Sequence, residues 1–303
     1  MLRLPRNFDN SITRNIDISI TRNFDISKIR KFEGSKTRRL ENSKARKLVD
    51  PLTRRLKKDV NKVEQIKPYS EADGKTEQVK AMFDSIAPAY DFMNRAMTLG
   101  IDKWWRKVAR KKVATVAPKR LLDVATGTGD FAIQLHNHLH CTVKGIDLSN
   151  GMLEVARKKV ADKGLQEQIT FEQGDCLKMR FSSESFDAVT VAFGVRNFEH
   201  IDRGYEEMYR VIKPGGMLCV LELSTPQNRF IRFFYDLYAM HIIPFVGSLK
   251  SGDKSAYRYL PESIAAVPQG EQMLEIMRSS GFKHCKVHRL TLGVCSIYTG
   301  IKL

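Results

Sequence analysis

The feature that most constrains the fold is an alternation of short apolar runs with amphipathic segments after residue 120. Apolar runs lie at 120–126, 142–149, 169–175, 186–193 and 216–223, and helix-like spacing occurs at 130–139, 150–164 and 205–213. Strands that alternate with helices predict a parallel sheet covered by helices on both faces. A further helix at 271–281 precedes two final apolar stretches, 282–290 and 294–303. The short turn between them predicts an antiparallel hairpin at the edge of the sheet.

Residues 1–66 differ from the rest because they carry an eight-residue repeat. Arginine recurs at every eighth position from Arg6 to Arg54, and an acidic, a serine and a large apolar position keep the same step. Each repeat holds too few large apolar side chains to offset the entropy lost on ordering. We therefore expect residues 1–66 to be a disordered basic extension, removable without loss of folding, and residues 67–303 to be the folded domain. A transit peptide, or an arm that contacts nucleic acid or an anionic membrane, stays an alternative.

The charge distribution argues against nucleic acid as the partner of the folded domain. The formal net charge is +17, but residues 1–67 contribute +11 of it and the remaining residues only +6. No apolar run reaches the roughly 18 residues of a membrane-spanning helix, so we expect a cytoplasmic protein that at most lies against a membrane surface. The five cysteines lack CxxC spacing and predict reduced thiols. His136 and His140 share a helix face without a third ligand, so we expect no metal site.

A Gly-rich turn after the first strand predicts a ligand site. The segment "DVATGTGD" runs from Asp123 to Asp130. Gly127 and Gly129 within it allow backbone angles and a close approach that a Cβ atom would obstruct. In an open parallel sheet, ligands bind beyond the carboxyl ends of the strands, which is where this turn falls.

Two carboxylates follow the next two strands. The second strand ends at Asp147, twenty residues after Gly127, and the third ends at Asp175 and Cys176. Asp147 is placed to accept hydrogen bonds from the ribose hydroxyls of an adenosine, and Asp175 lies toward the adenine. The three strand ends therefore line up polar groups along one crevice.

The same turn also resembles a dinucleotide-binding turn, because residues 127–132 satisfy the loose pattern G-x-G-x-x-A. Asp130 in the first helical turn would repel a pyrophosphate bound there. Asp123 likewise suits a cationic group better than an anionic one. These charges favour a cationic adenosine without phosphates, such as S-adenosylmethionine, and an NAD enzyme is the alternative.

Four stretches carry a family pattern, namely 83–105, "LLDVATGTGD", 193–226 and 257–264. On these stretches the chain from about Thr76 to Leu303 resembles the ubiquinone/menaquinone biosynthesis C-methyltransferase family. The segment "RVIKPGGMLCVLELS", which begins at Arg210, is the most specific of them. The chain departs from the family at Thr98 and Asp102, where members usually carry Ser and His, and residues 1–66 have no counterpart.

The resemblance implies a Rossmann-like class I methyltransferase. Its α/β fold has a seven-stranded, mostly parallel sheet with one antiparallel edge strand and helices on both faces. The implied reaction moves a methyl group from S-adenosylmethionine to a ring carbon of a prenylated quinol, converting demethylmenaquinol to menaquinol in menaquinone biosynthesis. The equivalent C-methylation in ubiquinone biosynthesis, or a methyltransferase for another small molecule, is the alternative. Together with the turn, the expected donor-binding residues are Asp123, Gly127, Thr128, Gly129, Asp147, Asp175 and Cys176.

The expected catalytic residues follow the fourth strand in "FGVRN". Loss of a phenolic proton makes the ortho ring carbon nucleophilic, so the catalytic task is to stabilise a phenolate. We expect Arg196 to do so by a charge-assisted hydrogen bond of about 1.5–3 kcal/mol, or to hold a water that removes the ring proton. Asn197 positions the loop or the substrate. The alternative is that Arg196 only pairs with a carboxylate to fix the loop.

The acceptor-binding candidates are aromatic and apolar, although each of these side chains also suits ordinary packing. They are Tyr90, Tyr257, Tyr259 and His241. The apolar segment 229–249 around Pro244 carries too much charge to span a bilayer. We expect it to form a lid or tunnel for a prenyl tail or to rest on a membrane surface. Core packing or a homodimer face is the equally weighted alternative.

Overall fold

The computed structural model describes residues 62–70, 73–238 and 254–303, without the side chains of 254, 256 and 257. The repeat up to residue 61 and most of the second half of 229–249 lie outside this part. The helices are α1 (Lys75–Ile86), α2 (Tyr90–Thr98), α3 (Asp102–Val113), α4 (Asp130–Leu139), α5 (Asn150–Ala161), α6 (Ile201–Val211), α7 (Arg229–Leu237), α8 (Lys254–Ala266) and α9 (Glu271–Ser279). The strands are β1 (Arg120–Val124), β2 (Thr142–Asp147), β3 (Ile169–Gln173), β4 (Phe186–Ala192), β5 (Ile212–Leu223), β6 (Lys283–Leu290) and β7 (Cys295–Ile301).

The strands form one seven-stranded sheet in the order β3-β2-β1-β4-β5-β7-β6. Strands β1 to β5 run parallel, and β7 pairs antiparallel with both β5 and β6. The predicted mostly parallel sheet with a closing hairpin at its edge is confirmed; within the hairpin, β7 lies next to β5 and β6 is outermost. The chain leaves β1 in one direction for β2 and β3 and later returns to place β4 on the other side. This reversal opens a crevice at the carboxyl ends of β1, β2 and β4.

The central strands are apolar on both faces because helices cover both faces. In β1, Leu121 and Leu122 are each fully buried, but they belong to separate hydrophobic clusters on opposite sides of the sheet. In β5, Cys219 and Val220 divide in the same way. This two-sided burial explains why these strands were read as continuous apolar runs without alternation.

The start of β5 differs from the predicted boundary at residue 216. Helix α6 ends at Val211, and Ile212 already pairs with Phe186 of β4. The pairing register then shifts, with Gly215 at φ 80° and its N–H donating to the carbonyl of Lys302 at 2.7 Å. Proline and glycine therefore make a bulge within the strand here, where the sequence suggested a break between helix and strand.

Residues 62–66, which precede the predicted boundary at 67, contact the folded domain. Val63 is fully buried in a core cluster, and its carbonyl accepts a hydrogen bond from Nζ of Lys75 at 2.7 Å. Glu64 Oε1 accepts the backbone N–H of Ile201, the first residue of α6, at 3.0 Å. This five-residue stretch thus supplies one core residue and one acceptor at the start of a helix.

Candidate active site

The Gly-rich turn between β1 and α4 is built on left-handed backbone. Ala125, Gly127 and Gly129 have φ of 52°, 55° and 76°. A Cβ on Gly129 would lie 2.9 Å from the ring of Phe171 and 3.0 Å from Cβ of Ala156, too close for either to stay in place. Glycine is therefore required at 129 both for its backbone angle and for the close packing of the turn against β3 and α5.

Asp123 anchors this turn from below. It is 1% exposed, and its two carboxylate oxygens accept the hydroxyls of Thr126 at 2.7 Å and Thr190 at 2.5 Å. Burial raises the pKa of Asp123 to about 6. Asp123 is not among the residues that line the adjacent cavity. The structure therefore places it under the turn, where it fixes the turn to β4, and not at the cavity wall as the sequence suggested.

Asp147 at the end of β2 does line the cavity. Its Oδ2 accepts the N–H of Gly127 at 2.8 Å and its Oδ1 accepts the N–H of Ser149 at 3.0 Å. Burial raises the pKa of this carboxyl group. Each oxygen keeps a further lone pair for a ligand hydroxyl. Gly127 and Asp147, which are twenty residues apart in the sequence, are thus in direct contact.

A cavity, called here the strand-end cavity, opens where these strands end. Of the residues predicted to bind the methyl donor, Gly127, Asp147, Asp175 and Cys176 line it. Asp175 Oδ1 accepts the N–H of Leu177 at 2.8 Å, and burial raises the pKa of the Cys176 thiol well above its usual value. Helix α1 covers the cavity with one face, which includes Thr76, Val79, Lys80 and Phe83.

Thr128 lies beside this cavity but points to a polar network of its own. Its hydroxyl donates to Asp91 Oδ1 of α2 at 2.6 Å, and Asp91 also pairs with Lys159 of α5. Lys159 Nζ lies 2.6 Å from Asp130, and Arg95 lies 3.7 Å from the same carboxylate. The charge of Asp130 is therefore balanced within the protein, and it gives less discrimination against phosphates than the sequence suggested.

A second cavity of about 370 Å³, called here the apolar cavity, adjoins the first. Its wall is formed by helices α1, α2, α3, α7 and α8, the loop after β4, the end of β5 and the connection between β6 and β7. Apolar and aromatic side chains dominate this wall, among them Met93, Leu223 and Tyr235. The two cavities have four lining residues in common, namely Phe83, Tyr90, Phe193 and Asn197. A ligand in one can therefore approach a ligand in the other.

Arg196 lines the apolar cavity from the 3-10 helix Val195–Asn197. It is 6% exposed, and its Nη1 donates to Glu222 Oε1 at 2.7 Å and to the Phe193 carbonyl at 2.6 Å. Its Nε is buried without a hydrogen-bond partner among the described residues. The carboxylate partner foreseen as an alternative therefore exists, and Arg196 faces the cavity at the same time.

The remaining acceptor candidates divide into two groups. Asn197 lines both cavities, and its Oδ1 accepts the hydroxyl of Tyr259 at 3.1 Å. Tyr90 also lines both, and burial raises the pKa of both tyrosines. His241 and the side chain of Tyr257 lie outside the described residues.

Two residues of the site were missed by sequence reasoning. Glu222 is 1% exposed and lies in the apolar run of β5, where a single acid among aliphatic residues is the signal that it has a buried partner. Lys75 is 1% exposed and contacts the Arg196 carbonyl at 3.0 Å. Its position at the start of a surface-patterned helix gave no such signal.

Two further predictions concern metal sites and membrane-spanning helices. Within the described ranges no group of three metal-binding side chains occurs, and Nδ1 of His136 bonds to the carbonyl of Cys141 at 2.8 Å. None of the helices in the described part is long and apolar enough to cross a bilayer.

A parallel sheet in this strand order, with a Gly-rich turn after β1 and a carboxylate at the end of β2, defines the Rossmann-like methyltransferase fold. A solved S-adenosylmethionine-dependent methyltransferase of Thermotoga maritima shares it, with a TM-score of 0.50, 18% identity and coverage of 74% of this chain and 99% of that one. The predicted fold class is therefore confirmed.

Sequence comparison defines the family more closely. The model of the ubiE/COQ5 methyltransferase family matches residues 71–302. The demethylmenaquinone methyltransferase of Bacteroides fragilis is 48% identical over 240 residues, 79% of this chain and 98% of that protein. The ubiquinone/menaquinone biosynthesis C-methyltransferase UbiE of Geotalea daltonii is 42% identical over 230 residues, 75% of this chain and 97% of that protein. The chain belongs to the ubiE/COQ5 methyltransferase family, which confirms the predicted family, enzyme class and methyl donor, S-adenosylmethionine.

Proposed function

We propose that the chain transfers the methyl group of S-adenosylmethionine to a ring carbon of a prenylated quinol, converting demethylmenaquinol to menaquinol. The observation that carries the proposal is the apolar cavity of about 370 Å³, which shares four wall residues with the strand-end cavity. A cavity of this size and apolarity suits a ring with a hydrocarbon tail. The Bacteroides fragilis relative is a demethylmenaquinone methyltransferase, which agrees with this acceptor. C-methylation in ubiquinone biosynthesis is the alternative.

The strand-end cavity fits a cationic adenosine. Asp147 and Asp175 bring two carboxylates to its wall, and Gly127 leaves the turn open, since a Cβ built there meets no atom within 4 Å. Asp147 would hold the ribose and Asp175 the adenine side. S-adenosylmethionine, when bound, supplies a methyl group already activated by its positive sulfur. The protein's task is therefore to orient the acceptor and make its carbon nucleophilic.

Arg196 and Asn197 are the proposed catalytic residues, since both line the apolar cavity where it meets the first. Arg196 favours the ionised form of the acceptor's phenolic oxygen, which raises electron density at the ortho carbon. Its buried Nε lacks a partner among the described residues, and an acceptor oxygen satisfies it. After the ring carbon has gained the methyl group, it loses its proton to a water held by Arg196. Loss of this proton restores the aromatic ring.

Tyr90, Tyr259 and Asn197 hold the acceptor ring. Asn197 uses its Oδ1 to accept the Tyr259 hydroxyl, which leaves its amide N–H groups to donate. Tyr90 lines both cavities. Burial raises its pKa, so the hydroxyl stays protonated at neutral pH and acts as a donor.

The function is tested by one assay with radiolabelled S-adenosylmethionine. Demethylmenaquinol and the ubiquinol precursor that lacks the same ring methyl are offered separately to the purified chain. We expect label in menaquinol at a kcat/KM at least tenfold higher than with the benzoquinol. Preference for the benzoquinol would favour the ubiquinone reading, and label in neither product would refute the proposal.

The exposed face of α7 supports a peripheral contact with a membrane, from which a prenylated quinol is drawn. Phe230, Phe233 and Phe234 are 73%, 65% and 53% exposed, and Phe234 also lines the apolar cavity. Leu99 and Ile101 are likewise exposed and line the same cavity. Aromatic side chains at the mouth of an apolar cavity fit the interfacial zone of a bilayer.

Vesicle flotation tests this contact. The wild-type chain should float with phosphatidylcholine–phosphatidylglycerol vesicles, and the double substitution Phe230→Ser with Phe233→Ser should reduce the floated fraction at least threefold. The same substitution at Leu292, which is 73% exposed but outside α7, is the matched control. A stable dimer that loses its association on the α7 substitutions, without any vesicle binding, would assign the face to a homodimer.

A further inference from the structure

Lys75 is a buried cation that neither cavity contains. It is the first residue of α1 and is 1% exposed. Its Nζ donates to the carbonyl of Val63 at 2.7 Å and to the carbonyl of Arg196 at 3.0 Å. It is not among the lining residues of either cavity, so it has no direct access to donor or acceptor.

The contact with Arg196 completes a clamp on the backbone of that residue. On one side, the N–H of Arg196 donates to Glu222 Oε2 of β5 at 3.2 Å. On the other side, the carbonyl of Arg196 accepts Nζ of Lys75 from α1. The 3-10 helix that carries Arg196 and Asn197 is therefore held between the sheet and α1.

A second contact ties the same two segments together. The hydroxyl of Thr76 donates to Glu199 Oε2 at 2.5 Å, and this hydrogen bond is the main cause that lowers the pKa of Glu199. Helix α1 is the helix that covers the strand-end cavity. Its amino-terminal end is thus attached to residues 196–199, which include Asn197, one of the four residues that line both cavities.

A lysine at this place is costly. Burial lowers the pKa of Lys75 to about 7. The nearby acids Glu64 and Glu199 raise this pKa, whereas Arg196 lowers it. An apolar side chain of similar length would avoid the desolvation of an ammonium group, and buried charges are weak evidence for stability alone. The group is explained if its directed N–H donors perform a task that an apolar side chain cannot.

We propose that Lys75 is a positioning residue, which holds the Arg196 carbonyl so that the acceptor-facing 195–197 segment is set in place only when α1 is seated over the strand-end cavity. Donor binding under α1 then orders the residues that face the acceptor. This inference rests on the proposed roles of Arg196 and Asn197, but the coupling itself is a property of α1 and the 195–197 segment.

Hydrogen exchange tests the coupling without any acceptor. S-adenosylhomocysteine is added to the full chain, and amide exchange is followed in α1 and in residues 194–199. In the wild type we expect slower exchange in both segments. In Lys75→Met we expect the protection of α1 to persist and that of 194–199 to fall at least threefold. Lys111→Met removes an exposed lysine from α3 and is the matched control.

Kinetics and binding supply the second readout. Lys75→Met should lower kcat at least tenfold while the Kd for S-adenosylhomocysteine changes less than threefold, and Lys75→Arg, which retains charged donors, should recover part of kcat. Lys75→Gln keeps an amide donor and replaces the Met variant if that one does not fold. Exchange protection at 194–199 equal to that of Lys111→Met, in a folded Lys75 variant, would overturn the inference. A wild type that shows the coupled protection but methylates no quinol would refute the proposed function alone.

Discussion

Nη1 of Arg196 lies 2.7 Å from Oε1 of Glu222, and the two side chains are 7% and 1% exposed. The cation that faces the apolar cavity is therefore held from behind by a buried anion. Replacement of such a pair by apolar residues is often neutral for stability, whereas removal of one partner is strongly destabilising. The pair thus separates two questions, whether Arg196 is needed for folding and whether it is needed for methyl transfer.

Substitution of Arg196 alone should damage both properties. Arg196→Met leaves the Glu222 carboxylate buried and unpaired, so the free energy of unfolding should fall by about 3–5 kcal/mol. Turnover should fall at least tenfold, while the Kd for S-adenosylhomocysteine, whose proposed site is the strand-end cavity, should change less than threefold. Urea unfolding, calorimetry and the radiolabel assay measure the three quantities.

The double variant Arg196→Met with Glu222→Leu is the control for that experiment. Because it removes both charges, it should recover more than half of the lost stability without recovering turnover. If turnover returned along with stability, the arginine would act only by fixing the loop, and its proposed catalytic role would be wrong.

Asp147 should determine the affinity for the methyl donor. Its oxygens bond to the N–H groups of Gly127 and Ser149 and face the cavity. Asp147→Ala removes an acceptor of charge-assisted hydrogen bonds. It should raise the Kd for S-adenosylhomocysteine at least tenfold, since such bonds contribute about 1.5–3 kcal/mol. Titration calorimetry measures the change, and Asp187→Ala, at the opposite end of the parallel strands, is the control. Equal affinity in the two variants would remove Asp147 from the donor site.

Asp123 should give the fold a pH dependence of known sign. Its pKa is about 6 in the folded chain against 3.8 ordinarily, so between these values the folded state binds more protons than the unfolded state. The stability that this group contributes is full below about pH 4 and is lost as the pH rises through 6. From pH 4 to pH 7, the free energy of unfolding of the wild type should therefore fall by on the order of 1–3 kcal/mol relative to that of Asp123→Asn. A difference that does not vary with pH in urea titrations would contradict this assignment.

Much of the fold and part of the site could be predicted from the sequence, because both follow from local pattern. The two-sided burial of β1 and β5 produces apolar runs, and the turn between β1 and α4 needs glycine at 129. Asp147 and Asp175 were found because strand ends in a parallel sheet meet along one edge. Each of these signals needs only a few neighbouring residues.

The remaining parts of the site depend on contacts between distant segments. Glu222 and Lys75 meet Arg196 from β5 and α1, and nothing in the sequence around either residue indicates that partner. For the same reason, the sequence does not indicate that Thr190 of β4 donates to one oxygen of Asp123. Polar partners across a sheet are set by strand order and register, which local pattern does not give.

The amino-terminal boundary of the domain can be located by a pair of truncations. Removal of residues 1–61 should leave folding and methyl transfer unchanged. Removal of residues 1–66 also deletes Val63, whose full burial is worth about 1.5–3 kcal/mol, and the acceptors for Nζ of Lys75 and the N–H of Ile201. The longer truncation should therefore have a free energy of unfolding that is lower by several kcal/mol in urea titrations. Its turnover should also fall, because Lys75 loses one of its two acceptors. Val63→Ala in the full chain separates the loss of packing from the loss of the carbonyl, because it keeps the backbone acceptor. If the two truncated chains were equally stable, residues 62–66 would not belong to the folded domain. The boundary at 67 that the sequence predicts would then be correct.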